Sequence, residues 1–98
     1  MSHVQVHNYW EQRVFEEVLR RHEMYPEFDG ELLADVACVA LNQLPARYIR
    51  FSIDLVFNMS QFERADSERA LNDAVSYAFG YVAERTASGL SPREKPEV

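Results

Sequence analysis

Apolar residues recur at helical spacing in three stretches of the chain and at every second position in a fourth. Trp10, Val14 and Val18, with Phe15 and Leu19 beside them, fall at the i, i+3 and i+4 positions of one face, while Glu16, Glu17, Arg20 and Arg21 take the other. Asn8 can cap this segment, and Glu11 sits three residues on, where a capping-box acid belongs. Pro26 closes it. The pattern predicts an amphipathic helix from about Tyr9 to Glu23. Asp29-Gly30-Glu31 opens a second helix whose stripe is Leu33, Val36, Ala37, Ala40, Leu41 and Leu44, and Pro45 stops it. Few of its positions are polar, which predicts a central helix.

The period then changes to two. Ile49, Phe51, Ile53, Leu55, Phe57 and Met59 alternate with Tyr48, Arg50, Ser52, Asp54, Val56 and Asn58, the pattern of a strand with one buried face. Ile53, Val56 and Phe57 also suit a helix, so 54–58 stands open between the two, with the strand preferred. In the same chain only Val4-Gln5-Val6 alternates as a strand partner might. Ser60-Gln61-Phe62-Glu63 fits a capping box and starts a long helix to about Arg85. Its expected buried stripe is Phe62, Leu71, Val75, Ala78, Phe79 and Val82, with Ala70 and Ala74 allowing close approach. Gly80 weakens it by roughly 1 kcal/mol relative to Ala.

These elements predict a mainly α fold, a small three-helix domain with one or two short strands. Residues 1–7 are expected to be a flexible N-terminus, 8–86 the helical domain and 87–98 a flexible tail. A strand without a partner of similar length, and a last helix nearly 40 Å long at ~1.5 Å per residue, point to an intertwined homodimer.

Composition narrows the function. Ten basic residues against 16 acidic ones give a net charge of −6, which disfavours unspecific binding to DNA or to an anionic membrane. Cys38 is the single cysteine, so neither a disulfide framework nor a cysteine zinc site is expected. Its neighbours Val36, Ala37, Val39 and Ala40 suggest a small hydrophobe of the core rather than a nucleophile. His3 and His7 could share a metal only if the N-terminus were ordered, and no metal is expected. No glycine loop, HExxH arrangement or catalytic carboxylate pair is present, so the chain is expected not to be an enzyme. With no basic-apolar leader at its start and no long apolar run, a cytoplasmic protein is expected.

One segment carries recognisable chemistry: Leu44-Pro45-Ala46-Arg47-Tyr48-Ile49-Arg50. No acid occurs between Asp35 and Asp54, so Arg47 and Arg50 are unopposed in their stretch of chain. On a strand Tyr48, Arg50, Ser52 and Asp54 share a face. Ring, guanidinium, hydroxyl and carboxylate on one ledge are the groups that stack a base and clamp a phosphate. The plainer reading packs Tyr48 on a helix and pairs the arginines with surface acids.

The run Asp35-Val36-Ala37-Cys38-Val39-Ala40-Leu41-Asn42-Gln43-Leu44-Pro45-Ala46-Arg47-Tyr48, preceded by Asn8-x-x-Glu11 at the head of an amphipathic helix, resembles the late competence development protein family, ComFB. The resemblance covers roughly Val6 to Val82, and Leu-Asn-x-Leu-Pro-x-Arg-Tyr is its specific part. It implies a small, mainly helical dimer and a regulatory role in competence, motility or biofilm behaviour. It also implies binding of a cyclic dinucleotide, cyclic di-GMP or cyclic di-AMP, and this carries over as far as Asn42, Leu44, Pro45, Arg47 and Tyr48. With Arg50 and Asp54 added from the strand face, the expected contacts are Arg47, Tyr48, Arg50, Asn42 and Asp54. A regulatory protein partner is a further expectation, and a dimeric interaction adaptor without a nucleotide is the alternative. Two departures stand out. Many members have two prolines where this chain has Pro45-Ala46. Some bind zinc through cysteines before the second helix, where Tyr25-Pro26-Glu27-Phe28-Asp29-Gly30-Glu31 offers none, so zinc is not implied.

Overall fold

A computed structural model of the chain describes residues 6–49 and 60–89. Helix accounts for 77% of it, so the fold is mainly α. The order is β1 (His7–Asn8), α1 (Tyr9–Arg21), a short 3-10 turn (His22–Met24), α2 (Gly30–Gln43), β2 (Tyr48–Ile49) and α3 (Gln61–Ala87).

Local chemistry sets the helix ends. The Asn8 side chain accepts the Trp10 N–H at α1, and Asp29 accepts that of Leu32 at α2. Ser60 and Glu63 form the full reciprocal capping box of α3. At α1 the Asn8 carbonyl-amide oxygen serves Trp10, and Glu11 makes no reciprocal bond. The α-helical part of the first segment stops at Arg21 and the 3-10 turn carries it on to Met24.

The core is a single cluster shared by all three helices. Val14, Val36, Val75, Phe79 and Val82 are its most deeply buried large side chains, and α2 packs against both α1 and α3. The loop after α1 adds what the helical periods do not show. Tyr25 stacks on Phe79 at 4.3 Å between centroids, and Phe28 leans on both rings. His22 Nε2 donates to the Phe28 carbonyl at 3.0 Å, which fixes that loop to the end of α1.

Several expectations change. Phe62 is 75% exposed, because the buried stripe of α3 begins only at Leu71 and the first turns project past the core. Phe15 and Leu19 are exposed as well: one column, Trp10–Val14–Val18, fills the seam, and the residues next to it lie about 100° further round the helix. Cys38 is exposed rather than in the core, for the same reason relative to buried Ala37. Glu17 and Arg21, expected on the solvated face, point toward α3. Arg21 Nη1 donates to Ser76 Oγ at 2.8 Å and Nη2 to Asn72 Oδ1 at 2.9 Å. Its Nε lies 2.6 Å from Glu17, and the two side chains are only 14% and 13% exposed. Arg13 makes a second bridge to α3, through Glu68.

The strand Tyr48–Met59 is present within the described residues as Tyr48–Ile49, and it does have a partner. It pairs antiparallel with His7–Asn8, in the register His7↔Ile49 and Asn8↔Tyr48. The pairing therefore uses His7, the last residue of the segment expected to be flexible. The rest of the strand, with the choice between strand and helix over 54–58, lies outside the described residues, as do His3 and the tail from Leu90.

Candidate functional site

The ledge expected at Arg47 and Tyr48 is built from the N-terminus of α1. Asn8 Oδ1 accepts two backbone N–H groups, that of Trp10 at 3.3 Å and that of Arg47 at 3.0 Å. The Tyr9 N–H donates to the Arg47 carbonyl at 2.6 Å. Both polar groups of the Arg47 backbone are thus satisfied by the first residues of α1, which leaves the side chain directed by a fixed backbone. Pro45 keeps α2 from running on, and Leu44, extended and buried, turns the chain toward β1.

The two functional groups are presented to solvent. Tyr48 is 69% exposed. The Arg47 guanidinium is exposed and pairs with no carboxylate among the described residues. Among the described residues Tyr48 is not packed away and Arg47 has no carboxylate partner. Under the ledge, Tyr9 and Trp10 are buried and meet edge to face at 5.0 Å. Tyr9 Oη accepts from Arg13 Nη1 at 3.4 Å.

Asn42 lies on α2. It is exposed near the end of α2, its Nδ2 3.8 Å from Cys38 Sγ, and it lines an apolar groove between α1 and α2. Arg50 and Asp54 lie outside the described residues. Arg47 and Tyr48 adjoin at the start of β2, and Asn42 lines the groove. The groove was missed by sequence reasoning. The signal was present in Phe15 and Leu19, a second apolar column on α1 that the core does not use.

The sequence profile described as late competence development protein ComFB matches residues 7–86, from the first residue of β1 to the last turn of α3. The chain belongs to the ComFB family. No curated protein and no solved structure matches it. ComFB membership makes it a competence-related regulatory protein. The match takes in every element described above, the Asn8–Arg47 junction and the groove included. Among the described residues no group of three His, Cys, Asp or Glu side chains is placed to hold a metal, and no helix is long and apolar enough to cross a membrane.

Proposed function

We propose that this ComFB-family chain is a non-enzymatic, cytoplasmic regulator that binds a cyclic dinucleotide at the Arg47–Tyr48 ledge and acts as a homodimer without zinc. The observation that carries the reading is an exposed Tyr48 ring and, one residue earlier, an exposed Arg47 with no carboxylate partner in the described residues, on a backbone tied to Asn8. Stacking on such a ring contributes about 1–3 kcal/mol per base. Arg47 supplies a fork suited to phosphate oxygens or to the O6/N7 edge of guanine. A two-fold dimer would present the ledge twice to a two-fold ligand. Arg50, Asp54 and Asn42 complete the expected contact set. Calorimetric titration of the pure protein with cyclic di-GMP and with cyclic di-AMP tests the reading. Micromolar binding of either supports it, and no binding of both rejects it.

A second reading, a dimeric interaction adaptor with no nucleotide ligand, is favoured by the groove between α1 and α2. A nucleotide would find no charged partner on its small, apolar floor.

A further inference from the structure

The groove has a volume of about 630 Å3. Gly30, Ala34, Ala37 and Cys38 line it along α2 together with the larger Leu33 and Leu41, and Phe15, Val18 and Leu19 line it along α1. Leu19 is 65% exposed, a large apolar surface left to water in a chain that has a well-filled core elsewhere. Small side chains on the floor leave depth for the side chains of an incoming element, and the two helices give the trough a straight axis.

Its rim is acidic. On α1 exposed Glu11 stands four residues before Phe15 and exposed Glu16 lies next to it, and exposed Glu23 follows in the 3-10 turn. Glu27 and Asp29 precede α2 and Glu31 lies in its first turn. From His22 to Ala46 the chain has no Lys or Arg. Arg20, the cation of α1 nearest to Leu19 in sequence, is held by Glu17. An apolar groove in an acid-rich stretch of chain that lacks cations suits an occupant that is apolar on one face and cationic at its edges. A second copy of the same face would set acid against acid, and the chain as a whole carries −6.

We propose that the α1–α2 groove is the docking site for an amphipathic helix of a partner protein, one with an apolar stripe flanked by Lys or Arg. The stripe seats between Phe15, Leu19 and the small residues of α2, and the flanking cations meet the rim carboxylates. The site goes beyond the nucleotide reading and does not use Arg47 or Tyr48; Asn42 is the residue common to both, and substitutions at Phe15 and Leu19 separate them.

Cys38, exposed on the groove floor and the one thiol of the chain, provides the readout. The full-length protein is alkylated with a maleimide in the presence of a synthetic helical peptide of about 18 residues with Leu on one face and Lys at its flanks. A Leu/Glu peptide of the same pattern and a Ser/Lys peptide of the same charge serve as comparisons. We expect the Leu/Lys peptide at micromolar concentration to slow alkylation roughly tenfold and the other two to leave it unchanged. Leu19→Ser and Phe15→Ser should each restore the rapid reaction. Both side chains are exposed, and circular dichroism verifies that the helices remain. No protection, protection by the Ser/Lys or Leu/Glu peptide, or protection that survives both substitutions would overturn the proposal. So would alkylation that is slow in the protein alone and quickens on dilution, since a second copy would then occupy the groove.

Discussion

Asn8 and Arg47 are joined across 39 positions of sequence by one side-chain oxygen that also caps α1. The same atom that ends one orphaned helix N–H fixes the backbone from which the Arg47 guanidinium projects. Helix start and ledge are therefore a single structural unit, and a change at Asn8 acts on both.

Asn8→Ala should lower stability by about 2 kcal/mol, roughly half from the lost cap and half from the unpaired Arg47 N–H. Asn8→Ser should recover the cap alone, since its shorter side chain serves α1 but does not span to Arg47. Urea denaturation of the three proteins measures this; equal stability of Asn8→Ser and wild type would show that the bond to Arg47 contributes nothing.

Arg47→Ala should leave the unfolding midpoint almost unchanged, within about 0.5 kcal/mol, because the side chain is exposed. It should weaken binding of a cyclic dinucleotide by about 1–3 kcal/mol, the scale of a lost charge-assisted pair. Calorimetry on both proteins separates the two effects. Undiminished affinity in the variant would remove Arg47 from the site.

Glu17 gives the fold a pH dependence of definite sign. The hydrogen bond from Arg20 holds its carboxyl below the usual range; burial opposes this and the bond from Arg21 adds to it. A folded-state pKa below the unfolded one stabilises fully above about pH 4.3, and the contribution is lost as pH falls through the folded value. Glu17→Gln should cost about 1 kcal/mol at pH 7 after solvent screening. Its deficit against wild type should shrink as the pH is lowered below that range. A deficit independent of pH would assign the loss to packing.

How much of this was readable in the sequence depends on range. Asn8, Asp29 and Ser60–Glu63 act within one turn, so the helix starts were legible, and Pro26 and Pro45 marked the stops. The column Trp10–Val14–Val18 was legible as core. Which side of it stays dry was not, since Phe15, Leu19 and Cys38 differ from their buried neighbours only by rotation about an axis whose partners are unknown from sequence. Arg21 looked like a surface cation because Asn72 and Ser76 are some fifty residues away. Tyr25 and Phe28 sit in a loop with no period at all, and only the arrival of Phe79 makes them core. β1 is two residues long, too short to show alternation. At the site, the ledge residues Arg47 and Tyr48 were named from their stretch of chain, whereas their clamp through Asn8 required the fold.

Gly80 lies in the middle of α3 with helical backbone, and a Cβ there meets nothing within 4 Å. Gly80→Ala should therefore stabilise the protein by about 0.5–1 kcal/mol, through helix propensity and a less flexible unfolded chain. Thermal unfolding measures it. A lower melting temperature would place another surface against Gly80 in solution.

The 27-residue α3 has no buried side chain before Leu71, and it exposes Phe62 and Tyr77. A second subunit is expected to meet this length. Light scattering after size exclusion at low micromolar protein should give about twice the 11.4 kDa chain mass, and the same peak should contain no stoichiometric zinc. A fully helical species at the single-chain mass would leave α3 to solvent.

Trp10, the one indole in the chain, shares its hydrogen-bond acceptor with Arg47 and sits 6% exposed beneath the ledge. The indole itself belongs to the shared core and meets Tyr9 edge to face, so its fluorescence reports on packing around the start of α1. A blue-shifted emission marks the indole as buried, and a red shift marks the moment water reaches the core at the start of α1. The protein thus carries an optical gauge at the place where its α1 cap and β2 meet, with no label to disturb either.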